Sequence, residues 1–221
     1  MNTRKLFVSV LMLVSVFLSS CTPAATPPAP TAVLATEVPT VAPAQGLTVF
    51  SSKTFELPMN VRFSAGWSVS DDYSDVVTLV TKDNYVDTAF IIVKNAKIAG
   101  PDAPFLTGAF PVDFISWIQA HGLFHVSGTK PVVIGGFQGV QIDANATPAC
   151  GAKKDWLFLQ STGWNCRKGE YYRFIYLKDV NGKGVLIMNT GGDDLSATDF
   201  EAGVEASQKV LDLVTFSKPI S

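Results

Sequence analysis

Few side chains in this sequence have the type and spacing to do chemistry. A nucleophilic triad needs a base, and the only histidines are His121 and His125. Four apart, they would share one helix face and suit a metal, but Gly122 ends a helix between them and no third ligand lies nearby. Helix-end and strand positions are their default. No G-x-S-x-G, Ser-x-x-Lys or HExxH motif occurs. Carboxylates gather at Asp71, Asp72 and Asp75 and again at Asp193 and Asp194. Calcium takes about six to eight oxygens from a glycine-centred loop, which neither cluster has, so turn and helix-entry roles explain them more simply. A glycosidase needs two carboxylates at a set separation, a condition the sequence leaves open. No catalytic residue, metal or cofactor is therefore assigned.

Cysteines and aromatics offer more. Cys150 and Cys166 flank a strand-like stretch, Asp155 to Gln160, and a turn at Ser161-Thr162-Gly163. In an oxidising compartment they pair into a loop of about 15 residues, worth roughly 3 kcal/mol by chain entropy; the alternative is two buried thiols. Without a CxxC spacing, redox activity is the weaker reading. Trp67, Trp117, Trp156 and Tyr172 read as core. Trp164 stands in the loop before Cys166 among polar neighbours, which makes it the candidate binding anchor for a sugar ring or a partner's pocket, unless it folds back over a sheet end. Asn145-Ala146-Thr147 matches a glycosylation sequon and reads as a loop.

Those residues need a compartment and a scaffold, and the ends of the chain supply the first. Among 221 residues, 17 Lys and Arg against 19 Asp and Glu leave no basic surface, so nucleic acid is excluded as a partner. Apolar content of 47% against 16% charged is high for a soluble chain. Part of that excess sits at the start: Arg4 and Lys5 precede thirteen uncharged residues, Leu6 to Leu18, followed by Ser19, Ser20 and Cys21. A membrane-crossing helix needs about 20 residues, so this run reads as a signal peptide over 1–20. The tetrad Leu18-Ser19-Ser20-Cys21 resembles the lipobox of bacterial lipoproteins. That resemblance implies cleavage before Cys21 and its acylation, hence a lipid-anchored chain on the extracytoplasmic side of a cell membrane or outer membrane, with the bilayer as a partner. An ordinary cleaved signal with an incidental cysteine is the alternative.

Residues 21–46 carry Pro23, Pro27, Pro28, Pro30, Pro39 and Pro43 with a single charge, Glu37. Proline fixes φ and removes donors, so this segment reads as a disordered, extended tether. Residues 47–221 then form one globular α+β domain of about 175 residues. Turn-bounded apolar runs predict strands at Leu47 to Phe50, Asn60 to Ser64, Val76 to Thr81, Thr88 to Lys94, Leu123 to Ser127, Pro131 to Ile134, Gly139 to Ala144, Asp155 to Gln160, Tyr171 to Leu177 and Gly184 to Met188. Asn181-Gly182 predicts a type I′ hairpin, and Gly135-Gly136 a second tight turn. Helical period predicts a three-turn helix from Pro111 to Gly122 and another from Thr198, whose stripe is Phe200, Val204, Ser207, Leu211 and Val214. Helices packed on an antiparallel sheet follow.

The order of three features resembles the PsbP-like sandwich domains, including the LpqN-type lipoproteins. They are Met59-Asn60-Val61-Arg62-Phe63-Ser64-Ala65-Gly66-Trp67, Pro131-Val132-Val133-Ile134-Gly135-Gly136-Phe137-Gln138-Gly139 and the closing Val210-Leu211-Asp212-Leu213-Val214-Thr215-Phe216. This resemblance implies a binding or assembly role without a catalytic set. The leading expectation is a non-enzymatic envelope module binding a protein, small molecule or glycan; the alternatives are a secreted hydrolase using His125 or a carboxylate pair, and a carbohydrate-binding module.

Overall fold

The computed structural model of the chain describes residues 46–82, 86–99, 107–191 and 194–217. The expected signal peptide, the acylated Cys21 and the tether lie outside the described residues, as does Asp193. Along the chain run β1 (Thr48–Ser51), β2 (Met59–Phe63), β3 (Trp67–Asp72), β4 (Val76–Thr81), β5 (Val86–Ile92), β6 (Lys97–Ala99), β7 (Thr107–Ala109) and helix α1 (Phe114–Ala120). Then come β8 (Phe124–Ile134), β9 (Phe137–Ala146), β10 (Lys154–Phe158), β11 (Gly163–Cys166), β12 (Tyr171–Val180), β13 (Lys183–Gly191), α2 (Ala197–Leu211) and β14 (Thr215–Phe216). Seven strands form the central sheet in the order β3-β4-β5-β13-β12-β9-β8. A four-stranded sheet, β11-β10-β6-β7, and a three-stranded one, β1-β2-β14, complete the set, and every pairing is antiparallel.

The central sheet is covered on both faces, which explains why its inner strands read as unbroken apolar runs rather than alternating ones. Val76, Ala89, Ile91, Phe174, Leu186 and Met188 face one core, shared with Trp156, Leu157 and the α1 residues Phe114 and Ile118. Their neighbours Val77, Phe90, Ile92, Ile175, Leu177, Val185 and Ile187 face the other, shared with Val61 and Phe63 of β2 and Val210 and Leu211 of α2. Helix is thus the smaller component: α1 has 7 residues and α2 has 15. Among the described residues no helix is long and apolar enough to cross a membrane.

Local chemistry explains where elements begin and turn. Asn181 and Gly182 take φ of 53° and 85°, and Gly135 and Gly136 take 58° and 86°, the left-handed pairs that type I′ turns require. Instead of a three-turn helix from Pro111, α1 starts after Asp113, whose carboxylate accepts from Ser116 N at 3.0 Å. The cap of α2 is Ser196, two residues before the expected Thr198, because Ser196 Oγ accepts from Asp199 N at 3.1 Å and donates to the Asp199 carboxylate. The expected strands at Leu123 to Ser127 and Pro131 to Ile134 merge into β8 through a bulge between Val126 and Gly128. Pro131 is tolerated there since β8 is an edge strand. Asn145, expected in a loop, lies in β9 opposite Tyr171.

Candidate functional site

Trp164 is placed by strand pairing, not by a free loop. Ser161 and Thr162 turn the chain between β10 and β11, and Trp164 lies opposite Leu157 on the edge of the four-stranded sheet, half-buried against the aromatic core. Two fixings hold this short hairpin. At one end Cys166 is disulfide-bonded to Cys150, with Cα atoms 5.5 Å apart. At the other, the buried Asp75 carboxylate accepts from Gln160 N at 2.9 Å and from Ser161 Oγ at 2.5 Å, tying the hairpin to the central sheet. An aromatic anchor whose supports are covalent and charge-assisted keeps its position without a partner present.

Beside Trp164 the four-stranded sheet stops short of the ends of β5 and β13, and a cleft of about 330 Å³ opens there. Its lining includes Asp87, Thr190, Arg167, Glu170 and Tyr172. Asp87 reaches it by alternation: Thr88 and Phe90 take the α2 side of the sheet, so Asp87 and Ala89 take the other. Glu170 is held on a turn in which Gly169 has φ of 91°. Its carboxylate accepts from Arg167 N at 2.9 Å and from the Tyr172 hydroxyl, with the Arg167 guanidinium at 3.9 Å. Burial, then the hydrogen bond to Glu170, pushes the Tyr172 hydroxyl far above its ordinary range, so it stays a neutral donor. Arg167 and Glu170 also wall a second cavity of about 430 Å³ toward Asp194 and Leu195.

Asp87 is the half-buried carboxylate on this side of β5. Burial, and then the nearby Asp71, push its carboxyl above the usual range. Asp71 arrives through a bulge between Val69 and Asp71: regular alternation would put it beside Val69 on the α2 side, whereas it pairs with Thr78, across from Ala89.

The acidic stretch at residues 71–75 consequently diverges. Asp72 takes hydrogen bonds from Ser52 and Thr54 on the opposite face, Asp75 holds the β10–β11 hairpin, and Asp71 turns toward Asp87. Among the described residues no three His, Cys, Asp or Glu side chains converge as a metal group would need. The histidines also separate. His121 caps the end of α1, buried with Nε2 2.9 Å from the Ala99 carbonyl and its ring 3.9 Å from Trp117, while His125 is exposed on β8. Neither lines the cleft. Trp67 in one core and Trp156 and Tyr172 in the other are buried as expected, and Trp117 is half-buried against the Trp156 core.

Sequence reasoning missed Asp87, Arg167 and Glu170. A signal existed for the first: Asp87 is the one charge in the Val86–Ile92 strand, and such a residue is rarely enclosed without reason. For the other two, only proximity to Cys166 hinted at a role. A larger and more apolar groove of about 710 Å³, lined by Val112, Phe114, Pro131 and Tyr176, lies elsewhere and holds none of the expected site residues.

The chain matches no family model and no curated protein. Among solved structures it is similar to a protein of Bacteroides thetaiotaomicron at 12% identity and a TM-score of 0.40, covering 80% of this chain and 50% of that one. The chain therefore spans half the length of that protein. It is also similar to cyanobacterial PsbP (CyanoP) from Synechocystis sp. PCC 6803, at 9% identity and a TM-score of 0.41, covering 83% of this chain and 99% of that one. No residue of the cleft is assigned from either.

Proposed function

We propose that this chain is an envelope lipoprotein, anchored through acylated Cys21 and held off the bilayer by residues 21–46, whose PsbP-like domain is a non-enzymatic binding or assembly module. Its ligand sits in the cleft beside Trp164. The observation that supports this reading is the rigidity and composition of that cleft: a half-buried tryptophan fixed by a disulfide and by Asp75, facing groups whose hydrogen bonds are already satisfied, such as Glu170 and Tyr172. Preorganised polar groups around an aromatic anchor are what recognition without chemistry uses. The sequence motifs at 59–67, 131–139 and 210–216 support the PsbP-like part.

Mass spectrometry of the membrane-bound chain tests the anchor: a lipid adduct on Cys21 is expected, and an unmodified mature N-terminus rejects it. For the cleft, the immobilised full chain is challenged with polysaccharide and lipid fractions of a bacterial envelope. Trp164→Ala should lose whichever fraction the parent retains; equal retention by both overturns the reading. A second reading, a secreted hydrolase, draws on Asp87 and Glu170 sharing one cleft, the first pushed above the usual carboxyl range by burial and the second accepting hydrogen bonds from Arg167 N and the Tyr172 hydroxyl. Release of soluble products from the retained fraction, abolished by Glu170→Gln, would favour it.

A further inference from the structure

Among the buried and half-buried carboxylates of the described residues, one stands apart. Asp75 has two donors, Asp72 has Ser52 and Thr54, Asp143 has Arg173 Nε at 2.6 Å and Gln141 at 2.9 Å, and Glu170 has a backbone amide, a phenol and a guanidinium. Asp87 has neither a donor nor a cation among the described residues, and the carboxylate near it, Asp71, repels it. A half-enclosed charge with no partner is costly to keep, and a positive ligand would relieve that cost. Arg167, also on the lining, is paired with Glu170 three residues on at 3.9 Å.

The cleft also says what kind of cation fits. Trp164 lines it together with Asp87, and an indole face is the best aromatic surface for a positive charge. A bare divalent ion would want about six oxygens or more, whereas an organic cation is satisfied by one carboxylate and a ring. Thr190 and Asn165 on the lining offer polar groups to hydroxyls, and about 330 Å³ is near the small end of ligand pockets. Building on the binding reading above, we infer that the Trp164 cleft takes a small molecule or headgroup bearing an ammonium ion, with the cation meeting the Asp87 carboxylate and the Trp164 ring.

The test is calorimetric titration of the full chain in detergent with a glucosamine disaccharide carrying free amines, its N-acetylated counterpart, lysine methyl ester, choline and calcium chloride. The free amine should bind about tenfold or more tighter than the acetylated sugar, which is the scale of a partly desolvated cation–π contact with a carboxylate beside it. Asp87→Asn should erase that difference while melting no lower than the parent, and Trp164→Phe should weaken binding less than Trp164→Ala does. Lysine methyl ester and choline show whether the ammonium is read on a sugar, on a primary amine or on a quaternary headgroup, and binding of any one of them supports the inference. Where the sugars bind, equal affinity for the amine and its acetylated form overturns it, as does amine binding unchanged in Asp87→Asn or heat from calcium alone. If Trp164→Ala loses the envelope fraction while no amine binds, the ammonium inference fails and the binding reading stands; if both are absent, both fail.

Discussion

The two faces of the central sheet differ in how completely their polar groups are closed off. Under α2, a buried triad ties helix to sheet: Thr88 Oγ1 and Ser207 Oγ lie 2.8 Å apart, and Asn189 Nδ2 donates to them at 2.9 and 2.7 Å. All three are buried among Phe90, Ile187 and Val210, with their hydrogen bonds made. The other face is richer in aromatics, with Phe174 packed at 5.4 to 5.9 Å from Phe114, Phe124, Trp156 and Tyr172, yet it ends at a cleft where Asp87 is left without a donor. Among the described residues, one face has its polar groups paired by its own side chains, while the other leaves the Asp87 carboxylate without a donor. Under the proposed binding role, the same sheet would serve stability on one side and recognition on the other.

The largest change should come from the aromatic face. Phe174→Ala leaves a cavity among four rings, and a loss of about 4 kcal/mol is expected from truncating a fully buried phenylalanine, read as a lower urea midpoint. An effect no larger than that of a surface substitution would mean that the aromatic layer is not the main core. Next, replacing both Cys150 and Cys166 with serine opens a loop with a sequence separation of 16 and should cost about 3 kcal/mol. Equal denaturation midpoints with and without reductant would deny the bridge its role. On the closed face, Asn189→Ala should cost about 2 kcal/mol, since it strips donors from two buried hydroxyls. If it destabilises less than Thr88→Ala, which removes one hydroxyl and leaves the Asn189–Ser207 bond in place, the triad is not organised as described.

Much of this contrast was legible in the sequence, though unevenly. The hairpin turn at Asn181-Gly182 could be read because only certain residues accept two successive positive φ angles, and the disulfide because export leaves Cys150 and Cys166 as the pair. Strand β4 was visible in full, Val76 to Thr81, because a run buried on both faces needs no alternation to stand out. What escaped was long-range. Trp164 reads as a loop residue beside glycine and asparagine, but pairing with β10 makes it a strand residue, a tertiary effect that local propensity does not carry. The bulge that swings Asp71 to the Asp87 side is equally silent, since one extra residue in β3 leaves no compositional trace. Of the cleft, its tryptophan and its cystine brace were foreseen; the carboxylate that gives it a sign was not.

The smallest expected effect is also the most specific to the open face. A carboxyl whose pKa is raised on folding holds its proton more tightly in the native state than in the unfolded one. Between its unfolded value near 3.8 and its higher native value, the native state thus binds more protons, and stability falls as pH rises through that window. The stability that Asp87 withholds at neutral pH should return on acidification through that window. Asp87→Asn removes the charge and keeps the shape, so the variant should melt slightly above the parent at pH 7, with the gap closing by pH 3.5. The shift should stay modest, because the group is part-exposed and solvent screens it. The counterpart is Asp113, whose carboxyl is held below the usual range by the Ser116 side-chain hydrogen bond at the α1 cap. Asp113→Asn should have the opposite sign, melting lower than the parent at pH 7 and matching it in acid. Thermal melts of both variants from pH 3 to 7 would show two curves converging on the parent from opposite sides. If Asp87→Asn converged from below, the Asp87 charge would be satisfied in the folded chain, and the two faces would not differ as described.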